Sequence, residues 1–227
     1  MSKPAALITG ASRGLGAELA KALSSTHHII AVSRTIGALE ALDDQIKERG
    51  GSSTLAPIDL TDENAIAQLC RSIFDRWGRV KLWAHTAIHV APLGPVITMD
   101  LKDWEKSVTN NVTALAKLIP LVSPLLEEDS KAIFFEDNTT MKKFSSVYGA
   151  TKAAQIHIVK TWQDECKSIG PQIYVFQPNP MPTAIRARFY PGEDRQKLQS
   201  VDIEAKRLVS MLEPVSYTHL TLPTSVM

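Results

Sequence analysis

Short apolar runs alternate with longer stretches of helical periodicity along almost the whole chain, and that alternation restricts the fold more than any other feature. Residues 5–9, 27–32, 53–58, 80–85, 131–135 and 172–177 are short runs rich in apolar and β-branched side chains, the pattern of strands buried on both faces. Residues 17–25, 36–49, 61–77, 101–126 and 145–168 between them carry helical patterns. Gly50-Gly51, Gly78 and Gly170-Pro171 serve as helix stops, and Pro120 and Pro124 are expected to kink or end the fourth helix. Strands separated by helices pair in parallel through right-handed crossovers. The expected class is α/β: a doubly wound parallel sheet of six to seven strands with helices on both faces, three layers in all.

The first strand runs into Thr9-Gly10-Ala11-Ser12-Arg13-Gly14-Leu15-Gly16 and then a helix. Glycines permit a tight turn and a close backbone approach, and the helix start offers free N–H groups to a phosphate. In this position the turn indicates a Rossmann-type dinucleotide site. An acid at the end of the second strand would hold an adenine ribose hydroxyl, but none lies between residues 27 and 39. Arg34 stands there instead, with Arg13 inside the turn, and a planar cation suits a 2′-phosphate. The expected cofactor is NADP(H).

Tyr148 and Lys152 share one face at the start of a helix. A nearby ammonium favours phenolate, which a tyrosine needs for proton transfer near neutral pH. Taken alone the pair reads as helix surface; downstream of the glycine turn it reads as an acid–base group.

Composition removes several alternatives. The 227 residues carry a formal charge of +1, which leaves no electrostatic footprint for nucleic acid. No apolar run is long enough for a membrane span. Two cysteines, Cys70 and Cys166, are too few for a disulfide framework and fit a reducing, cytoplasmic setting. His85 and His89 lack an obvious third ligand, so no metal site is expected.

Over residues 4–212 the sequence resembles the short-chain dehydrogenase/reductase family, through the Thr9–Gly16 turn and the Tyr148…Lys152 pair. Residues 184–194 look like a bacterial subgroup, the YciK-like oxidoreductases. The resemblance implies hydride exchange between NADP(H) and a carbonyl or secondary alcohol, a small-molecule substrate. Tyr148 would be the acid or base, Lys152 would lower its pKa and hold a ribose, and Asn111 would hold a relay water. It places Thr9, Gly10, Ser12, Arg13, Gly14, Leu15 and Gly16 against the cofactor, with Arg34, Asp59, Leu60, Thr86, Ala87, Pro178 and Thr183. It also implies a homodimer or homotetramer.

Three departures qualify the match. The family's Asn-Asn-Ala-Gly reads His85-Thr86-Ala87-Ile88, and its Pro-Gly reads Pro178-Asn179. Its serine is missing from Phe135-Glu136-Asp137-Asn138-Thr139-Thr140, where Asn138 or Thr139 is the expected substitute. The alternative to an enzyme is therefore a nucleotide-binding regulatory protein with little turnover. A nucleotide-dependent transferase would leave Tyr148 and Lys152 unexplained. Residues 184–200 suit a mobile lid over the substrate, or a plain surface loop. The expected organisation is one domain over residues 1–214. Residues 215–227, which hold no charged side chain, are expected to be an atypical or non-native tail.

Overall fold

The computed structural model describes residues 3–137 and 142–212. Six strands form one parallel sheet: β1 Ala5–Thr9, β2 His28–Ser33, β3 Ser52–Pro57, β4 Val80–His85, β5 Leu126–Phe135 and β6 Gln172–Phe176. Their spatial order is β3-β2-β1-β4-β5-β6. Thr9 pairs with Val32 of β2 on one side and His85 of β4 on the other. The chain therefore reverses its direction of winding at β1/β4, and the C-terminal strand ends there diverge to leave a crevice.

Helices α1 Gly14–Leu23, α2 Ile36–Glu48, α3 Glu63–Trp77, α4 Leu101–Ser107, α5 Ala114–Val122, α6 Ser146–Cys166, α7 Ala184–Phe189 and α8 Val201–Ser210 cover the sheet. Alternate residues of β1 enter different cores. Leu7 joins Ile30, Trp83, Leu115 and Phe134 on one face, while Ile8 joins Leu19, Ile29, Ala84 and Leu208 on the other. Trp83 is fully buried and meets Phe134 edge-to-face at 5.2 Å. Asp62 caps α3, accepting from Ala65 N at 3.0 Å.

Several expected boundaries move. The first helix begins at Gly14 rather than residue 17, because the glycine turn supplies its first turn. The expected helix over 101–126 is divided at a widened, π-type turn over Val108–Thr113. Pro120 lies inside α5 without ending it, while Pro124 sits in the single tight turn that follows. Strand β5 starts at Leu126, five residues before the expected point. The charged stretch to Ser130 forms a register irregularity against β4, and pairing resumes at Leu82 and Lys131. Among the described residues no helix is long and apolar enough to cross a membrane. The expected tail over 215–227 lies outside the described residues.

Candidate active site

A cleft of roughly 870 Å³ opens at the C-terminal ends of the strands, where the winding reverses. One end is the glycine turn. Arg13, the N-cap residue immediately before α1, provides no side-chain cap, so the first N–H groups of the helix have no side-chain partner there. Gly14 has φ +57°, and a Cβ there would meet only Thr183 Cγ2, at 3.8 Å. Gly10 and Gly16 answer to their own chain instead. A Cβ on Gly10 would fall 2.5 Å from Ala87 N, and one on Gly16 would fall 2.4 Å from Gly10 O. Thr86 Oγ1 ties the turn down by donating to Thr9 O at 3.0 Å and Gly10 O at 3.1 Å.

Arg34 stands at the rim with Nη1 3.6 Å from Asp59 Oδ2. Burial works against the Asp59 charge, but bonds from Thr61 and the neighbouring Arg34 hold its carboxyl below the usual range. Leu60 lines the same wall. Of the cofactor residues expected from sequence, all but Thr9 line the cleft. Thr9 lies beneath it. Its Oγ1 is shared among His85 Nδ1 at 2.8 Å, Trp83 Nε1 at 3.2 Å and the Ala84 carbonyl at 3.3 Å.

At the other end stand Tyr148 and Lys152, on the first turns of α6. Tyr148 donates from Oη to Asp137 Oδ2 at 2.8 Å. Burial first, then the Asp137 charge, raises the phenol pKa above its ordinary value. Lys152 is buried and donates to Gln155 Oε1 at 2.7 Å. Burial brings its ammonium down to about 8, against the pull of Asp137 and Glu136. Lys152 thus faces along the helix to Gln155, and Asp137 is the phenol's partner.

Asn111 is fully buried behind the cleft wall. Its carboxamide accepts from His89 N at 2.6 Å and donates to His89 O at 2.8 Å and Thr151 Oγ1 at 3.1 Å. Its backbone carbonyl accepts from Gln155 Nε2 at 3.1 Å. One glutamine therefore links Lys152 to the π-type turn. The helix widens where the Asn111 carboxamide clamps the loop after β4 and its carbonyl is drawn toward α6.

The departures from the family pattern also find partners. Ile88 packs beside Val90, Tyr148 and Phe189. Asn179 donates through N and Nδ2 to Glu204 at 2.8 and 3.0 Å, and Arg207 binds the same carboxylate at 2.6 and 2.9 Å. The loop after β6 is thus tied to α8. Residues 184–189 form α7, capped by Thr183, and Phe189 meets the Tyr148 ring edge-on at 5.0 Å. Asn138 and Thr139, the expected serine substitutes, lie outside the described residues. Sequence reasoning passed over Asp137 and Gln155. Asp137 was visible as the acid in the segment where a serine was missing, and Gln155 stands three residues beyond Lys152 on the same helix.

His85 adds one more observation. Its Nε2 is buried at the cleft and has no partner among the described residues. Burial, with Lys152 nearby, holds the ring neutral, its pKa brought down to about 3.

The short chain dehydrogenase family model matches residues 4–194. The chain belongs to that family. An uncharacterized oxidoreductase of Staphylococcus aureus is 22% identical over 92% of this chain and 91% of its own length. The ketoacyl reductase HetN of Nostoc is 28% identical over 76% of this chain, which spans 61% of HetN. A fatty acyl-CoA reductase of Acinetobacter baylyi is 45% identical, but over only 30% of this chain and 23% of its own. Among solved structures, the oxidoreductase YciK of E. coli superposes with a TM-score of 0.83 at 22% identity, covering 93% of this chain and 90% of that one. A metagenomic short-chain oxidoreductase in complex with NADP gives 0.78 at 21% identity, covering 93% and 91%. The solved structures show the Rossmann-type fold, and the family model places the chain among the short chain dehydrogenases.

The cleft's residues fit the dinucleotide cofactor expected from the sequence. Helix N–H groups lack a side-chain cap, a Cβ at Gly14 would meet nothing nearer than Thr183 Cγ2 at 3.8 Å, and a neutral histidine nitrogen has no partner among the described residues.

Proposed function

We propose that the chain is an NADP-dependent oxidoreductase that moves hydride between NADP(H) and a small-molecule carbonyl or alcohol, with Tyr148 as the group that hydrogen-bonds the reacting atom. The observation that carries this reading is one cleft lined by the glycine turn, Arg34, Tyr148 and Lys152 together. The α1 N-terminus and the turn would hold the pyrophosphate, Arg13 and Arg34 a 2′-phosphate, and Lys152 the nicotinamide ribose. When bound, the cofactor supplies hydride. The chain's part is to orient, exclude water and position a proton. A raised tyrosine pKa keeps the phenol protonated, so it serves as donor in the reductive direction. The solved relative in complex with NADP supports the cofactor choice.

A homodimer or homotetramer goes with this reading, as does a reducing, cytoplasmic setting. Support comes from the strongly exposed Val96, Ile97 and Leu101 and from two free, buried thiols, Cys70 and Cys166. One observation favours the non-catalytic alternative: Tyr148 is engaged by Asp137 and not directed at Lys152. Tyr148→Phe separates the two readings. It is expected to bind NADPH as tightly as the parent protein while losing roughly a hundredfold or more in ketone reduction. Unchanged ketone reduction in that variant would remove Tyr148 from the chemistry.

A further inference from the structure

We infer that Gln155 is a positioning residue for this reaction: one end of its amide holds the Lys152 ammonium and the other holds the Asn111 carbonyl, so that Lys152 meets the cofactor's ribose in one fixed direction. The inference rests on the oxidoreductase reading above and concerns how Lys152 is set in place.

Gln155 lies three residues beyond Lys152 on α6 and is buried, like Ile156 and Val159 of the same helix. Packing alone would be served there by an apolar side chain, and a buried amide is costly unless its polar atoms are bonded. Both ends of this amide are. Lys152 Nζ donates to Oε1 at 2.7 Å, and Nε2 donates to Asn111 O at 3.1 Å. The amide has one workable orientation, because an ammonium only donates and a carbonyl only accepts. Turned over, it would set donor against donor and acceptor against acceptor. The bond also favours the ammonium over the neutral amine, since a charged donor bonds more strongly.

The far end of the link is anchored. Asn111 spends its whole carboxamide elsewhere: Oδ1 accepts from His89 N, and Nδ2 donates to His89 O and Thr151 Oγ1. Asn111 thus clamps the loop after β4 that lines the cleft, and Gln155 joins Lys152 to that clamp. An ammonium has three donors. Lys152 makes one hydrogen bond among the described residues, to Gln155, which leaves two donors for hydroxyls of a ligand in the cleft. Asp137 and Glu136 at the end of β5, His85 at the end of β4 and Tyr148 one turn back on α6 are the titratable groups around it, and the π-type turn brings no charge. Burial outweighs the two acids and brings the ammonium down to about 8, so loss of a bonded acceptor moves its titration into the neutral range.

The test uses the full chain, isotope-labelled on its lysine side-chain nitrogens for NMR, with the Lys152 signal assigned by its loss in Lys152→Arg. Gln155→Met keeps the length of the side chain and removes both bonds. Gln155→Glu keeps the contact with Lys152 and makes it an ion pair. Without any ligand, the Lys152 ammonium is expected to titrate about one pH unit lower in Gln155→Met and about one pH unit higher in Gln155→Glu than in the parent. A side chain that only filled space would not move the two in opposite directions. Binding supplies the second readout. At about pH 8, NADPH should lose roughly tenfold in affinity for Gln155→Met, while 2′,5′-ADP, which has no nicotinamide ribose, should bind that variant like the parent. An unchanged Lys152 titration in both variants would overturn the inference, and so would equal weakening of NADPH and 2′,5′-ADP. Opposite shifts of Lys152 in a protein that binds neither nucleotide would uphold the link from Gln155 to Lys152 and remove the NADP reading.

Discussion

Gly14 and Gly16 are two residues apart and serve different ends. At Gly16 a Cβ would meet Gly10 O and Thr86 Oγ1, each at 2.4 Å, so the glycine is required by the packing of the turn on the loop after β4. At Gly14 the added atom meets only Thr183 Cγ2, and the demand is conformational, φ +57°. Alanine at Gly14 is therefore expected to cost about 1–2 kcal/mol of stability, yet to place a methyl group where the cofactor's phosphates would lie. Alanine at Gly16 forces backbone apart, which costs about 1–3 kcal/mol or more. Thermal melting with an NADPH fluorescence titration checks both. Gly14→Ala should remain folded and lose about tenfold or more in affinity; if it binds NADPH like the parent, the turn is a packing device only. The motif was legible in the sequence, but this division of labour was not. Spacing identifies three glycines, while only the position of Thr86 and Ala87 shows which of them the chain itself needs.

Elements are placed here by polar ties as well as by cores, and α8 is the clearest case. Glu204, fully buried on α8, accepts from Asn179 in the loop after β6 and from Arg207 one turn on. The Arg207 bonds, helped by Asn179 and opposed by desolvation, hold its carboxyl below the ordinary value. The folded state thus binds fewer protons there than the unfolded chain. Its contribution is fully present above the unfolded carboxylate pKa and is lost as the pH falls through the folded one. Glu204→Gln is expected to cost about 1.5–3 kcal/mol at neutral pH and progressively less in acid, as urea unfolding at several pH values would show. A cost independent of pH would mean that packing, not charge, holds the loop. The sequence marked Asn179 as a misfit without indicating its partner, because Glu204 lies 25 residues away on another element. Strands and most helices were legible because periodicity is local. The break at Val108–Thr113 was not, since its cause is the bonding of Asn111 to His89, Thr151 and Gln155 on neighbouring elements. Asp137 was equally hidden: its role comes from the approach of α6 to the end of β5.

For the whole molecule, the sheet separates two cores, and the cleft lies at the strand ends where both stop. A ligand bound there touches loops from both halves of the sheet, so its binding energy adds to the stability of the entire domain rather than of one segment. A ligand that binds only the folded state at a hundred times its Kd stabilises by about 2.7 kcal/mol. For a domain of this size that corresponds to roughly 5–11 °C in melting temperature. If Arg13 and Arg34 take a 2′-phosphate, NADPH raises the melting temperature by several degrees more than NADH at equal concentration. Arg34 can be tested cleanly because its one ion pair among the described residues, with Asp59 at 3.6 Å, is exposed and worth about 0–1 kcal/mol. Arg34→Ala should leave the ligand-free melting temperature nearly unchanged, keep the shift caused by NADH, and remove most of the excess caused by NADPH. Differential scanning fluorimetry at matched ligand concentrations reads all three quantities in one experiment. Equal shifts from the two cofactors in the parent protein would place Arg34 outside phosphate recognition. A shift from neither would deny the cleft a nicotinamide cofactor altogether. The loss of the NADPH excess alone, with the fold untouched, is the outcome that a 2′-phosphate site at the end of β2 requires.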